Sequence, residues 1–455
     1  MGVSRNLAIG ALAASVLCAL AVFLAPAWAQ PPGPARAGLV GVASCGGTTC
    51  HGRSEANGAV VRQDELRLWQ DSSSPAGAHS RAWSVLAEPR AKAIAARLGI
   101  GEAASAPMCL GCHASDAGAQ RGPRFQLSDG VGCESCHGAA TGWLASHYAV
   151  GGTHTANVAR GMVPLDDPRA RAGRCLDCHF GSAAQGKFVD HRIMAAGHPR
   201  ISFELDLFST LQQHHNEDAD YATRKGRSNG FTTWAVGQAM ALERSLSLFA
   251  TPGRGTEGAF PEFYFFDCHS CHRRISDDPR AEPAGEANPA RPIPRGMPPY
   301  NDENMIMLSA AARVAAPDIA RRFDRDSRAF HSALGKDRAA AVATAATLRA
   351  TTDALSSALS RGVGRAQLFD VVDAIAGGAV APRFTDYEGS VQAVMAVDTL
   401  LSALVSSGAI AAGQAETIRG DVNTAYRAVR EPNAFDPREF RASLGRAASA
   451  IRRLK

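Results

Sequence analysis

The chain has 455 residues, 45% of them hydrophobic but only 6% aromatic, and a formal charge of +5. That length leaves room for two or three domains, and the Ala- and Gly-rich, aromatic-poor make-up suits a helical protein whose core is partly cofactor. With no basic stripe interleaved with aromatics, the modest positive charge does not point to nucleic acid.

Residues 1–29 read as a secretory signal peptide. Arg5 supplies the charged region, Leu7 to Ala25 the apolar one, and Ala27-Trp28-Ala29 a cleavage site ahead of Gln30. The alternative is an uncleaved anchor, because the apolar run approaches spanning length. Membrane contact is expected only in that case. Cys18 follows Ser15-Val16-Leu17, a poor lipobox. No later segment reads as a membrane span, and the signal peptide makes the periplasm the expected location.

Of eleven Cys, ten fall in five clusters and the eleventh is Cys18. Four clusters share one spacing: Cys109-Leu-Gly-Cys112-His113, Cys133-Glu-Ser-Cys136-His137, Cys175-Leu-Asp-Cys178-His179 and Cys268-His-Ser-Cys271-His272. This is the attachment signature of a c-type haem. Two thiols add to the vinyl groups while the adjacent His ligates the iron from below. The first cluster, Cys45 to Cys50-His51, has four residues between its thiols. A disulfide or half a metal site is its bland reading, but Cys50-His51 and its place at the head of the series favour a fifth haem. Five covalently bound c-type haems are therefore expected, and no thiol remains for a structural disulfide. Their propionates would bring the loaded protein close to neutral.

Between the clusters the chain reads as short helices and turns. Residues 64–70 begin one helix, and residues 91–98 form another, stopped by Gly99 and Gly101. The second and third clusters lie 24 residues apart, a tether that makes their haems neighbours. Residues 203–215 are amphipathic. Residues 231–250 predict a helix with Phe231, Trp234, Met240, Leu242, Leu246 and Phe249 on its buried stripe. Phe263-Tyr264-Phe265-Phe266 is read as packing against a porphyrin face.

Residues 277–300 hold seven prolines and read as a linker or surface wrap. Residues 301–455 contain no Cys and one His, His331, taken as a structural imidazole. Breaks near Gly335, Gly362, Gly377-Gly378 and Gly413, and the helical spacing of Val391, Val394, Met395, Val397, Leu400, Leu401 and Leu404, predict four or five helices. The expected fold class is mainly α: a signal peptide (1–29), an irregular multihaem cytochrome domain (30–276), a Pro-rich linker (277–300) and an all-α helical bundle (301–455).

Each haem iron has a second axial position. His269 is trapped between two attachment cysteines and His331 lies outside the haem-bearing part. His79, His147, His154, His191, His198, His214 and His215 remain for five open positions. Ligation by two imidazoles makes a fast electron carrier; an iron left open makes a reaction site.

Gly130-Val-Gly-Cys133-Glu-Ser-Cys136-His137-Gly138 followed by His147 resembles the cytochrome c-554 family. So does the order of first cluster, Trp69, His79-Ser-Arg-Ala82 and Cys109-Leu-Gly-Cys112-His113. The likeness runs from about Cys45 to His179. It implies a mostly helical protein with closely spaced haem pairs, His79 serving the fourth haem and His147 the first. It also implies no distal side chain on the haem of Cys109, Cys112 and His113, which would be high-spin. The long first cluster, the fifth haem and the C-terminal helices depart from the family. Ala195-Ala-Gly-His198-Pro-Arg200 resembles larger multihaem relatives instead.

The leading distal candidates are thus His79, His147 and His198, then His191, with His154, His214 and His215 behind. Gly197 lets backbone approach a ring and Pro199 fixes the chain after His198. The expected function is a periplasmic multihaem cytochrome passing electrons between redox partner proteins. The alternative is a reductase or oxidase of a small nitrogen or sulfur compound at an open haem, with groups around residues 147–160 as acid–base candidates. No residue is singled out as catalytic.

Overall fold

The computed structural model describes residues 38–455 apart from 57–61, 116–119, 185, 216, 218, 227–228, 255–261, 273–287, 295, 382 and 385. The signal peptide and half of the Pro-rich stretch therefore lie outside the described residues. The fold is mainly helical. Among the described residues, extended pairing is confined to two isolated bridges, Leu39 with Arg121 and Phe266 with Tyr300.

Helices of ten or more residues are, in chain order, α1 (Pro89–Leu98), α2 (Pro168–His179), α3 (Gly230–Ala250), α4 (Glu303–Ala315), α5 (Pro317–Leu334), α6 (Arg338–Leu359), α7 (Arg365–Ala379), α8 (Tyr387–Ser406), α9 (Ala412–Ala428) and α10 (Pro437–Arg452). Two expected helices appear close to their predicted bounds. Residues 65–70 form a short helix, and α1 begins at Pro89 and ends where Gly99 turns left-handed at φ 66°. That stop is the usual glycine solution to a helix C-terminus.

Residues 301–455 form seven helices among the described residues rather than four or five. Pro317 starts α5 immediately after α4, and Pro437 starts α10, because proline is favoured at the first helical position and disfavoured further in. Gly377 and Gly378, expected to break the chain, stay inside α7, and Gly413 stays inside α9. A hydrophobic pattern alone does not reveal such glycines' tolerance within a packed helix.

α3 joins the two parts of the molecule. It packs against α2, which carries the fourth cluster, and against α4, α6 and α8. Phe231, Trp234, Leu242, Leu246 and Phe249 share one apolar core with Phe323, Phe330, Leu348, Leu355 and Leu400. Met240 is only partly buried, against Leu176 and Phe203. Gly237 makes the close approach possible: a Cβ there would sit 2.5 Å from Leu205 Cβ. Residues Gly38–Lys455 thus form one compact unit, with a core that spans the boundary expected from composition.

α8 is long and apolar enough to cross a membrane by length and composition, contrary to the expectation for the chain beyond the leader, and 72% of its apolar window is buried in this core. The aromatic run also differs from expectation. Phe265 is buried between Phe249 and Tyr300, inside the helical core, while Phe263 is exposed with its ring 5.3 Å from that of His191.

Candidate functional site: five paired imidazoles

The cysteine–histidine clusters, numbered here sites 1 to 5 in chain order, are held mostly on short helices. Pro107–His113, Cys133–His137 and α2 carry sites 2, 3 and 4. On a helix, residues three and four apart share a face, so both thiols and the following His point the same way. Pro107 and Pro168 start two of these helices, and Asp167 caps α2 by accepting from Arg169 N–H. Site 1 meets the same need differently. Cys45 ends the helix Val42–Cys45, the chain turns through Gly46 and Gly47, and His51 N–H returns to Cys45 O at 3.1 Å. Gly52 is obligatory in this loop, since a Cβ there would lie 1.9 Å from Gly46 O.

Each cluster histidine faces a second histidine from elsewhere in the chain. Ring centroids are 6.1 Å apart for His51 and His147, 6.2 Å for His113 and His198, 6.2 Å for His137 and His214, 6.2 Å for His179 and His79, and 6.3 Å for His272 and His191. Contacting rings need not be so far apart. With a metal–nitrogen bond of about 2 Å on each side and roughly 1.2 Å from nitrogen to ring centre, two imidazoles sharing one metal have centroids roughly 6.4 Å apart. The residues present therefore fit an iron held between each pair.

The second ring nitrogens agree with this arrangement. His113 Nδ1–H donates to Ala82 O at 2.7 Å, His198 Nδ1–H to Pro199 O at 2.8 Å, and His214 Nδ1–H to Gln212 O at 3.1 Å. A carbonyl can only accept, so Nδ1 carries the proton and Nε2 is left to ligate. Burial pushes His137 down to about 3 and His179 down to about 4, and also lowers His79, His147 and His198. Neutral imidazole is the form that binds metal. His51 alone moves the other way, raised first by its hydrogen bond to Glu65.

The structure brings all four distal candidates, His79, His147, His198 and His191, opposite cluster histidines. Two placements differ from the expectations. Site 2, which the family likeness left without a distal side chain, has His198 across from His113. His214, ranked behind, faces His137. His154 instead stands 4.0 Å from Asp166, and the His215 ring lies against those of His214 and Tyr221. His331 is a buried structural imidazole, bonded to Ser327 O and Asp302, and His269 donates to Pro432 O.

The thiols, standing where thioether sulfurs would be, also show which sites adjoin. The Cys45 thiol interacts with that of Cys133, and the Cys112 thiol with that of Cys178. Cys136 lies within electrostatic range of both Cys175 and Cys178. Sites 1 and 3, 2 and 4, and 3 and 4 are therefore adjacent. The chain after site 2 meets the chain ahead of site 3, where Gly132 N–H donates to Ser115 Oγ at 2.9 Å, but among the described residues no thiol contact joins these two sites. The segment from His191 to His198 spans sites 5 and 2, and Arg200 beyond it reaches Cys268 Sγ at 3.9 Å.

Several supporting residues gave no signal in the sequence. Glu134, inside the third cluster, is buried and accepts from the backbone N–H groups of Val40, Gly41 and Ala140, which pins the N-terminal segment to site 3. Site 5 is anchored on the C-terminal helices. Cys268 N–H donates to Glu388 and Tyr387 N–H donates to Asp267, and burial raises the Glu388 carboxyl well above its usual range. The buried Arg200 guanidinium sits between Glu303 and Glu388 and over the Tyr264 ring.

No curated protein and no solved structure matches the chain. Residues 44–138, which contain sites 1 to 3, match the family Cytochrome c554 and c-prime. Over this segment the chain is thus similar to the Cytochrome c554 and c-prime family, a likeness that supports a c-type cytochrome in electron transfer with covalently bound haem.

Proposed function

We propose that this chain is an exported, periplasmic five-haem cytochrome in which every axial position is filled by histidine. The ligand pairs are His51 and His147, His113 and His198, His137 and His214, His179 and His79, and His272 and His191. One observation carries the reading: five independent imidazole pairs share a single spacing of 6.1–6.3 Å. The haem supplies one-electron exchange at its iron. The chain's own residues hold both ligands of each iron, favour by burial the neutral form of His79, His137, His147, His179 and His198, and bring the sites together.

The thiol contacts and the His191–His198 segment arrange the sites in the order 1, 3, 4, 2, 5, a wire rather than a cluster around one pocket. Redox partner proteins would meet it at its ends. Cys50 of site 1 and Cys271 of site 5 are the two exposed attachment cysteines, which suits this role. A reductase acting at an open haem needs an iron lacking its second ligand, and here every cluster histidine has a partner ring.

Intact mass of the exported protein tests the haem number. A mass for five haems is expected. A mass for four, with Cys45 and Cys50 free to alkylate, would remove site 1 from the wire.

A further inference from the structure

We infer that Glu65 makes site 1 the low-potential, electron-receiving end of the wire; the inference rests on the proposed five-haem reading. His51 Nδ1 lies 3.1 Å from Glu65 Oε2. Among the described residues, no other cluster histidine is hydrogen-bonded to a carboxylate. The ring of His113 donates to a neutral carbonyl, and His179 Nδ1 is buried with no partner. A carboxylate drawing on the Nδ1 proton gives the imidazole part of the character of its anion. Such a ligand donates more strongly and favours ferric over ferrous iron.

Ring orientation points the same way and is independent of Glu65. The planes of His51 and His147 meet at only 18°, against 88°, 86° and 83° at sites 2, 3 and 4 and 34° at site 5. Near-parallel rings direct both π lone pairs at the same iron d orbital. That orbital rises and holds the ferric hole, which stabilises the oxidised state. Perpendicular rings load two orbitals equally and give up this gain. Site 1 alone combines parallel rings with a carboxylate-bonded ligand.

His51 and Glu65 are partly open to solvent, with side chains 41% and 22% exposed. Long-range charge is therefore screened, and the direct hydrogen bond is what acts on the ligand. The buried Glu134 carboxylate also lies in electrostatic range of Cys45, adding negative potential on the site's other side. A one-electron donor protein loses one electron at this end and site 1 gains it, the proton staying between His51 and Glu65. The electron then passes to site 3.

The test is a potentiometric titration of the full five-haem protein and its Glu65→Gln variant, followed by EPR. Parallel rings give an ordinary rhombic low-spin signal, whereas perpendicular rings give a highly anisotropic one, so site 1 falls in a rhombic pair with site 5 and the response to Glu65→Gln tells the two apart. One of the two rhombic signals is expected to have the lowest midpoint of the five, and Glu65→Gln should move that midpoint positive and leave the other four in place. Glu65→Asp, which keeps the charge at a longer reach, should move it less. Unmoved midpoints in Glu65→Gln, or a shift in a haem other than the lowest, would overturn the inference while leaving the five-haem wire standing. Absence of the site 1 haem from the unmutated protein would overturn both.

Discussion

His198 lies across from His113, with ring centroids 6.2 Å apart, planes at 88° and its Nδ1 proton given to Pro199 O. In the proposed five-haem reading, His198 would fill the position through which the haem of site 2 would otherwise meet small molecules. Arg90 and Arg97 hold the loop in place, donating to Gly197 O and Ala196 O, and Gly197 makes the turn at φ 113°.

Replacing His198 with Ala should therefore create the open site that the unmutated protein lacks. We expect one low-spin haem to become high-spin with all five haems retained by mass, and carbon monoxide to bind the reduced variant. A variant with the unmutated protein's spectrum would show that His198 is not a ligand.

His214 and His215 are adjacent in sequence, yet only His214 faces a cluster histidine. His214→Ala is expected to convert one haem to high-spin, and His215→Ala to leave every haem low-spin. The opposite pattern would mean that the loop presents the other ring to site 3.

Stability should fall as pH rises through neutrality, through Glu204. Its carboxylate is buried, accepts from Asp206 N–H, Leu207 N–H and Thr399 Oγ1, and is pushed up to about 7, chiefly by burial. A carboxyl with a raised folded-state pKa binds its proton more tightly when folded. Its stabilisation is present below the unfolded value and is lost between pH 4.5 and about 7, a change of up to about 3 kcal/mol. The ferric protein should melt at a lower temperature at pH 8 than at pH 5, and Glu204→Gln should flatten that slope. An equally steep slope in the variant would assign the dependence to other groups.

What the sequence made legible follows from how local each constraint is. Attachment requires two thiols and a histidine within a few residues, so the five candidate clusters can be read directly. The histidines that face the clusters come from loops remote in the chain. His79 and His147 were reachable through family likeness, and His198 through its Gly-His-Pro setting, whereas His214 is told from His215 only by the fold around Gln212. Similarly, the apolar periodicity of Val391 to Leu404 marked α8 correctly. No local pattern shows that α3, on the cytochrome side of the Pro-rich stretch, shares a core with it. Gln238 bonding to Gln392 at 2.9 Å within that core is a pairing across 154 residues.

The most direct test of the account is a low-temperature EPR spectrum of the fully oxidised holoprotein with its spins quantified. Five histidine pairs predict five low-spin ferric haems and no high-spin signal: two with modest ring angles, at sites 1 and 5, and three highly anisotropic, at sites 2, 3 and 4. A high-spin signal amounting to one haem per chain would contradict the account and return the chain to the class of cytochromes with an open iron.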